Sequence, residues 1–224
     1  MRYKAQVGAS LFAVTILAAG ISSAHADVNP ATDEPSAGVV ELSADDFVFA
    51  PDGSVVEGDF QELTATVYEP NPEAPTGPSV RSCPEVNDPA KVTYTGSPHF
   101  VVDSEEPFSS WLSPNQTATY TTESAHEISA EVELGTEAEV SGVVAKAKET
   151  LKIKAGAKIS VKRALQVSDS NKTNKAYRVR LGSMGWKITR TKEWIAAPCT
   201  PKKKVTYKVN APQVGDITLG RFNS

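Results

Sequence analysis

The chain has 224 residues, a net charge of −4, 40% hydrophobic residues, two cysteines and three histidines. That length suffices for one domain with a real core plus an extension. Two widely separated cysteines and so few histidines argue against a structural zinc site, and no cofactor or other metal is expected.

Arg2 and Lys4 precede an apolar run from Val7 to Ile21, which ends in Ala24-His25-Ala26. This pattern predicts a signal peptide over 1–26, cleaved before Asp27, and hence a secreted, extracellular, bacterial protein. Later segments are too polar to cross a bilayer as helices. In an oxidising compartment Cys83 and Cys199, both in proline-flanked loops, are expected to form a disulfide. Closing so long a loop stabilises by about 4–5 kcal/mol in the chain-entropy model.

Residues 27–80 are proline-rich and acidic, and they predict a disordered, flexible arm. Two stretches within it could be strands, Phe47–Phe49 and Glu62–Tyr68, with a turn signal at Pro51-Asp52-Gly53. Residues 81–224 predict one disulfide-stapled β-rich domain. Its strand candidates begin with Lys91–Tyr94 and Phe100–Val102, with a turn at Gly96-Ser97-Pro98 between them. Tyr177–Leu181 and Trp186–Trp194 follow, around a turn at Gly182–Gly185. Lys204–Val209 and Asp216–Phe222 complete the set.

The central stretch alternates. Ile128, Val132 and Val140 share one face, as do Ile153 and Ile159 further on, with glutamates and then lysines on the other face. Pairing Val140 with Leu151 and Val132 with Ile159 would give a hairpin with a charge ladder. A helical reading competes in the middle. Val140, Val143, Val144, Ala147 and Leu151 form a helical stripe, and Thr136 with Glu139 matches a capping box. The expected form is long strands at about 117–134 and 151–168 joined by a short amphipathic helix at about 137–149. The fold class is therefore mainly β, an elongated antiparallel sheet with one short helix, preceded by the acidic arm.

Two long amphipathic strands around a small-residue insert, over about 115–210, resemble the elongated β-domain of aerolysin-type pore-forming proteins. The layout is also similar to secreted actinobacterial proteins of unknown function. The first resemblance implies a twisted sheet whose central hairpin rearranges into a transmembrane barrel on oligomerisation. It would make 128–161 the insertion segment, with Ile128, Val132, Val140, Ile153 and Ile159 facing the membrane.

Charge is divided along the chain. Residues 27–90 hold fourteen acids and one base, whereas 150–224 hold three acids and seventeen bases. The blocks can answer each other within the fold, the arm can lie over a basic face, or the basic face can take an anionic surface ligand. Lys202, Lys203 and Lys204 are the candidates for anion binding. Nucleic acid is not an expected partner of a secreted protein.

Catalytic fingerprints are lacking: the sequence has no G-x-S-x-G, H-E-x-x-H, P-loop or dinucleotide-binding pattern. His99 and Asp103 are near neighbours, but such pairs are commonplace, and an enzyme would need a pocket holding His99 or clustered acids. The expected function is a non-enzymatic interaction or cell-envelope protein whose partner and oligomeric state the sequence leaves open. The alternative is an aerolysin-like pore former.

Overall fold

The computed structural model describes residues 38–74, 84–162, 164–196, 200–215 and 217–223. The expected signal peptide and both cysteines lie outside the described residues. The described part is mainly β, with twelve strands and one α-helix. In chain order the strands are β1 (Val48–Phe49), β2 (Val55–Glu57), β3 (Leu63–Glu69), β4 (Ala90–Val102), β5 (Thr117–Thr122), β6 (His126–Ser129) and β7 (Glu131–Leu134). After α1 (Glu137–Leu151) come β8 (Lys158–Val161), β9 (Leu165–Ser170), β10 (Arg178–Ala196), β11 (Thr200–Pro212) and β12 (Thr218–Phe222).

The long β10 organises the main sheet. It pairs antiparallel with β4 from Gly182 to Glu193 and with β11 from Gly185 to Ala196. Further back, β10 pairs with β12 over Arg178–Gly182. β3 adds to β4, β7 to β11 and β1 to β12, the last pair parallel, so the sheet is mixed rather than purely antiparallel.

The two expected turns at 96–98 and 182–185 are instead interior strand, with 96–98 opposite 186–188 and 182–185 opposite 99–102. Glycine serves close packing here, not chain reversal. A Cβ on Gly182 would lie 2.3 Å from the Phe100 ring, and one on Gly185 2.3 Å from the Ala211 carbonyl oxygen. Pro98, facing Trp186, continues β4 without a break.

The predicted arm also needs correction over its described part. Residues 48–69 form β1, β2 and β3, and the Gly53 turn with its positive φ of 85° joins β1 to β2. Both stretches singled out in the sequence are strands. Composition misled because the acids are answered by distant bases. Glu69 holds Arg190 and Lys192, each at 2.9 Å, while Glu41 meets Lys154 at 2.6 Å and Glu73 meets Lys203 at 2.6 Å. The opposed charge blocks are in part self-complementary.

One face of the sheet is covered along its length. Towards the end of β4 it carries a phenylalanine cluster of Phe47, Phe49, Phe100 and Phe222. Further along, α1 lays Val140, Val143, Val144, Ala147 and Leu151 onto Val92, Tyr94, Trp186 and Ile188. These are the five stripe positions of the helical reading, all buried. The helix ends two residues later than expected, at Leu151, with Lys152 in a left-handed conformation at φ 56°.

The opposite face is covered at one end only. Two ribbons, β5–β9 and β6–β8, pack Ile128 and Ile159 onto Val101, Val179, Leu181 and Leu219. Beyond them, threonines stand in rows across four strands: Thr66, Thr93, Thr191 and Thr206 in one, Thr64, Thr95 and Thr189 in the next, which ends in Lys208. None of these residues is in a buried cluster. β-Branched side chains suit such a half-exposed pleated surface.

The hairpin register differs from the expected one by four residues. Ile128, not Val132, faces Ile159, and Thr117 faces Ser170 in the same frame. An even shift leaves the apolar residues on the correct face, so patterning alone could not choose between the two registers. Val132 pairs with Val209 of β11, and Val140 lies on the helix, so the expected Val140–Leu151 strand pair does not form. All five proposed membrane-facing residues are in the core here. Ile128, Val140, Ile153 and Ile159 are buried, and Val132 packs against the helix cluster.

Candidate functional site

Where the ribbons meet the sheet, four segments converge. The chain after β4 runs back along β10, with Asp103 N–H donating to the Leu181 carbonyl, Ser109 N–H to Val179 and Leu112 N–H to Tyr177. This strap places Asp103, Glu106 and Phe108 beside Tyr120 of β5 and His126 of β6, and Trp111 beside Arg178 of β10.

A buried polar chain links them. His126 Nδ1 is 2.8 Å from Asp103 Oδ2, with both side chains under a tenth exposed. His126 Nε2 is 3.2 Å from the Tyr120 hydroxyl, which donates to Glu106 Oε1 at 2.7 Å. Arg180 Nε donates to the Glu106 carbonyl at 2.8 Å, and its Nη2 to the Asp103 carbonyl at 3.3 Å. Burial, then the hydrogen bond to the Glu106 carboxylate, pushes Tyr120 up to about 12. The phenol therefore stays protonated near neutral pH and serves as a fixed donor rather than as a base.

A half-open cavity of about 180 Å³ lies against this chain. Phe108, Val179, Leu181 and Leu219 supply apolar wall, and Glu106, Tyr120 and Arg180 supply polar groups. Beside it runs a guanidinium–aromatic stack. The Arg178 guanidinium carbon lies 4.6 Å from the Phe108 ring centre and 5.0 Å from that of Trp111, and Arg180 lies 5.1 Å from Phe108. Such stacking contributes about 0.5–2 kcal/mol per contact and holds long side chains still. Trp111 remains 47% exposed beside this stack. Arg178 Nε is shielded from solvent and has no hydrogen-bond partner among the described residues.

In two other cavities the arginine is already paired with carboxylates. Around Asp169, a 320 Å³ hollow contains Arg221, which holds Asp169 at 2.7 Å and Asp45 at 3.2 Å. Between α1 and the sheet, a 230 Å³ hollow contains Arg190, which is engaged by Glu69 and the Tyr94 hydroxyl.

Sequence reading placed Asp103 with His99; the structure pairs Asp103 with His126 instead. His99 is buried on β4 opposite Gly185, held at about 4 by burial and the Lys187 ammonium, against the opposing pull of Glu133 and Asp52. Its Nδ1 has no partner among the described residues. Of the lysine triplet, Lys203 is bound to Glu73 and Lys204 lies 3.9 Å from Glu193, while Lys202 is exposed. Glu106, Tyr120, Phe108, Trp111 and Arg178 were missed as a group, because the strap that gathers them has no periodic signal.

Asn71 Nδ2 donates to the Val86 and Ile195 carbonyls, each at 2.8 Å.

No protein-family model, curated protein or solved structure matches the chain.

Proposed function

We propose that the protein is a secreted, non-enzymatic interaction protein of the cell envelope, which binds its target through the patch around Trp111. The observation that supports this reading is the exposed Trp111 ring, stacked on Arg178, which also stacks on Phe108 of the cavity wall. Rigid aromatic and arginine side chains are the residue types that anchor binding surfaces, and their immobilisation lowers the entropy lost on association. The signal-peptide pattern over 1–26 supports the extracellular assignment, and the protonated Tyr120 fits positioning rather than proton abstraction. The paired state of Lys203 and Lys204 moves the anchor away from the lysine triplet.

Co-sedimentation of the purified protein with bacterial cell-envelope fractions tests the reading. The wild type is expected in the pellet, and Trp111→Ala and Arg178→Ala are expected in the supernatant with unchanged circular dichroism. A wild type that stays in solution with every fraction, or variants that pellet equally, would overturn it.

A second reading is membrane insertion of 128–161. Its support is the single register shared by both ribbons, which makes 117–129 and 158–170 two arms of one interrupted hairpin. Dye release from neutral and anionic liposomes tests it. Insertion requires Ile128, Val140, Ile153 and Ile159 to leave the core, so release without a change in tryptophan environment would count against this route.

A further inference from the structure

The geometry points to a sugar ring as the ligand of the cavity at Phe108 and Tyr120, an inference that rests on the binding reading above. The cavity holds one acceptor and one donor side by side on an apolar wall. Glu106 uses Oε1 to accept from Tyr120, leaving Oε2 with no hydrogen bond among the described residues. Arg180 spends Nε and one Nη2 hydrogen on backbone carbonyls, leaving its Nη1 hydrogens unassigned among the described residues. Both side chains are anchored by those same bonds, so they present fixed positions rather than a mobile charge pair.

A purely apolar occupant would strand these groups out of water, at the cost that attends any unanswered buried polar atom. Neighbouring hydroxyls on a pyranose satisfy both: one donates to the carboxylate, and the next accepts from the guanidinium. The ring's C–H face then meets Val179, Leu181 and Leu219. About 180 Å³ is room for one such ring, not for a chain of them.

Trp111 extends the same logic. Its ring shares the Arg178 guanidinium with Phe108 of the cavity wall, at 5.0 and 4.6 Å, and its exposed part offers an aromatic surface to a second C–H-rich ring. With Arg178, Arg180 and Glu106 at its edge, the rim has both donors and an acceptor, as a neutral glycan or one with scattered acidic groups requires. The target is thus a glycan of the envelope, gripped at one ring in the cavity and supported at a neighbouring ring on Trp111.

A glycan array followed by saturation-transfer NMR on the best oligosaccharide tests this, with the full-length purified protein. Binding is expected, with ring protons of one residue saturated most strongly. Glu106→Gln keeps an acceptor for Tyr120 but loses the charge, and it is expected to weaken binding about tenfold. Trp111→Ala is expected to reduce affinity for oligosaccharides more than for the monosaccharide. Thr93→Val, on the open threonine face, is expected to change nothing. An array without a single binder, or glycan binding indifferent to Glu106→Gln and Trp111→Ala, overturns the inference. Preferential binding of N-acetylphenylalanine amide would also overturn it, in favour of a peptide side chain. If envelope sedimentation depends on Trp111 while the array is blank, the ligand class is wrong and the binding patch stands. If sedimentation also ignores Trp111, both fail.

Discussion

The segment between β4 and β10 supplies two coverings for one sheet, and they are built on different physics. α1 is held by a stripe of aliphatic side chains, with Tyr207 donating to Glu139 at its first turn as a peripheral polar tie. The ribbons bury fewer apolar groups and are pinned by charged and phenolic ones. Asp103, His126 and Tyr120 form one set, and Asp169, Arg221 and Tyr177 another. Apolar cover is insensitive to pH and sensitive to volume; polar pins are the reverse.

The largest expected effect is on volume. Ile153 is fully buried where the chain leaves α1, and Ile153→Ala should cost about 3 kcal/mol, read as a shift in denaturant midpoint at constant slope. A loss below about 1 kcal/mol would mean that the helix half packs loosely.

Acid should act at His99, under the β1–β2 turn. His99 takes up a proton near 6.5 when unfolded and resists until about 4 when folded. Stability from this group is therefore complete above pH 6.5 and falls as pH drops towards 4, by about 3 kcal/mol in total. His99→Gln should flatten that part of the pH–stability curve; an unchanged slope would refute the assignment.

Alkali should separate the coverings. Burial and a carboxylate partner push Tyr120 and Tyr177 each up to about 12, from 10.0. Their contribution is present below pH 10 and lost as pH rises through 12, so ribbon amides should lose hydrogen-exchange protection in that window before those of α1. Simultaneous loss in both would erase the contrast. The smallest effect is at Lys152, whose left-handed backbone favours glycine; Lys152→Gly should raise stability by about 0.5–1 kcal/mol in thermal unfolding.

Local patterning made α1 legible in the sequence, because its stripe depends on residues three and four apart. The capping box was legible in part: Thr136 Oγ1 donates to Glu139 at 2.9 Å, but the threonine side chain makes no cap hydrogen bond to a backbone amide. The faces of the ribbons were legible and their partners were not, since alternation survives any even shift. Glycines at 182 and 185 read as turns because the ring and carbonyl that need the space come from Phe100 and Ala211, far away in sequence. The candidate site was invisible for the same reason. Asp103, Tyr120, His126 and Arg180 belong to four elements, and nothing in their spacing announces that they meet.

The dependence of the whole sheet on β10 has a kinetic consequence. β4 has its long partner only when residues 182–193 exist, and Phe49 pairs with Phe222, the penultimate described residue. During synthesis the first half of the chain therefore has few native partners of its own, and most pairings close large loops at once. Folding should be slow and late, dependent on the full C-terminus, with the early strands exposed to chaperones or to aggregation until the last stretch arrives.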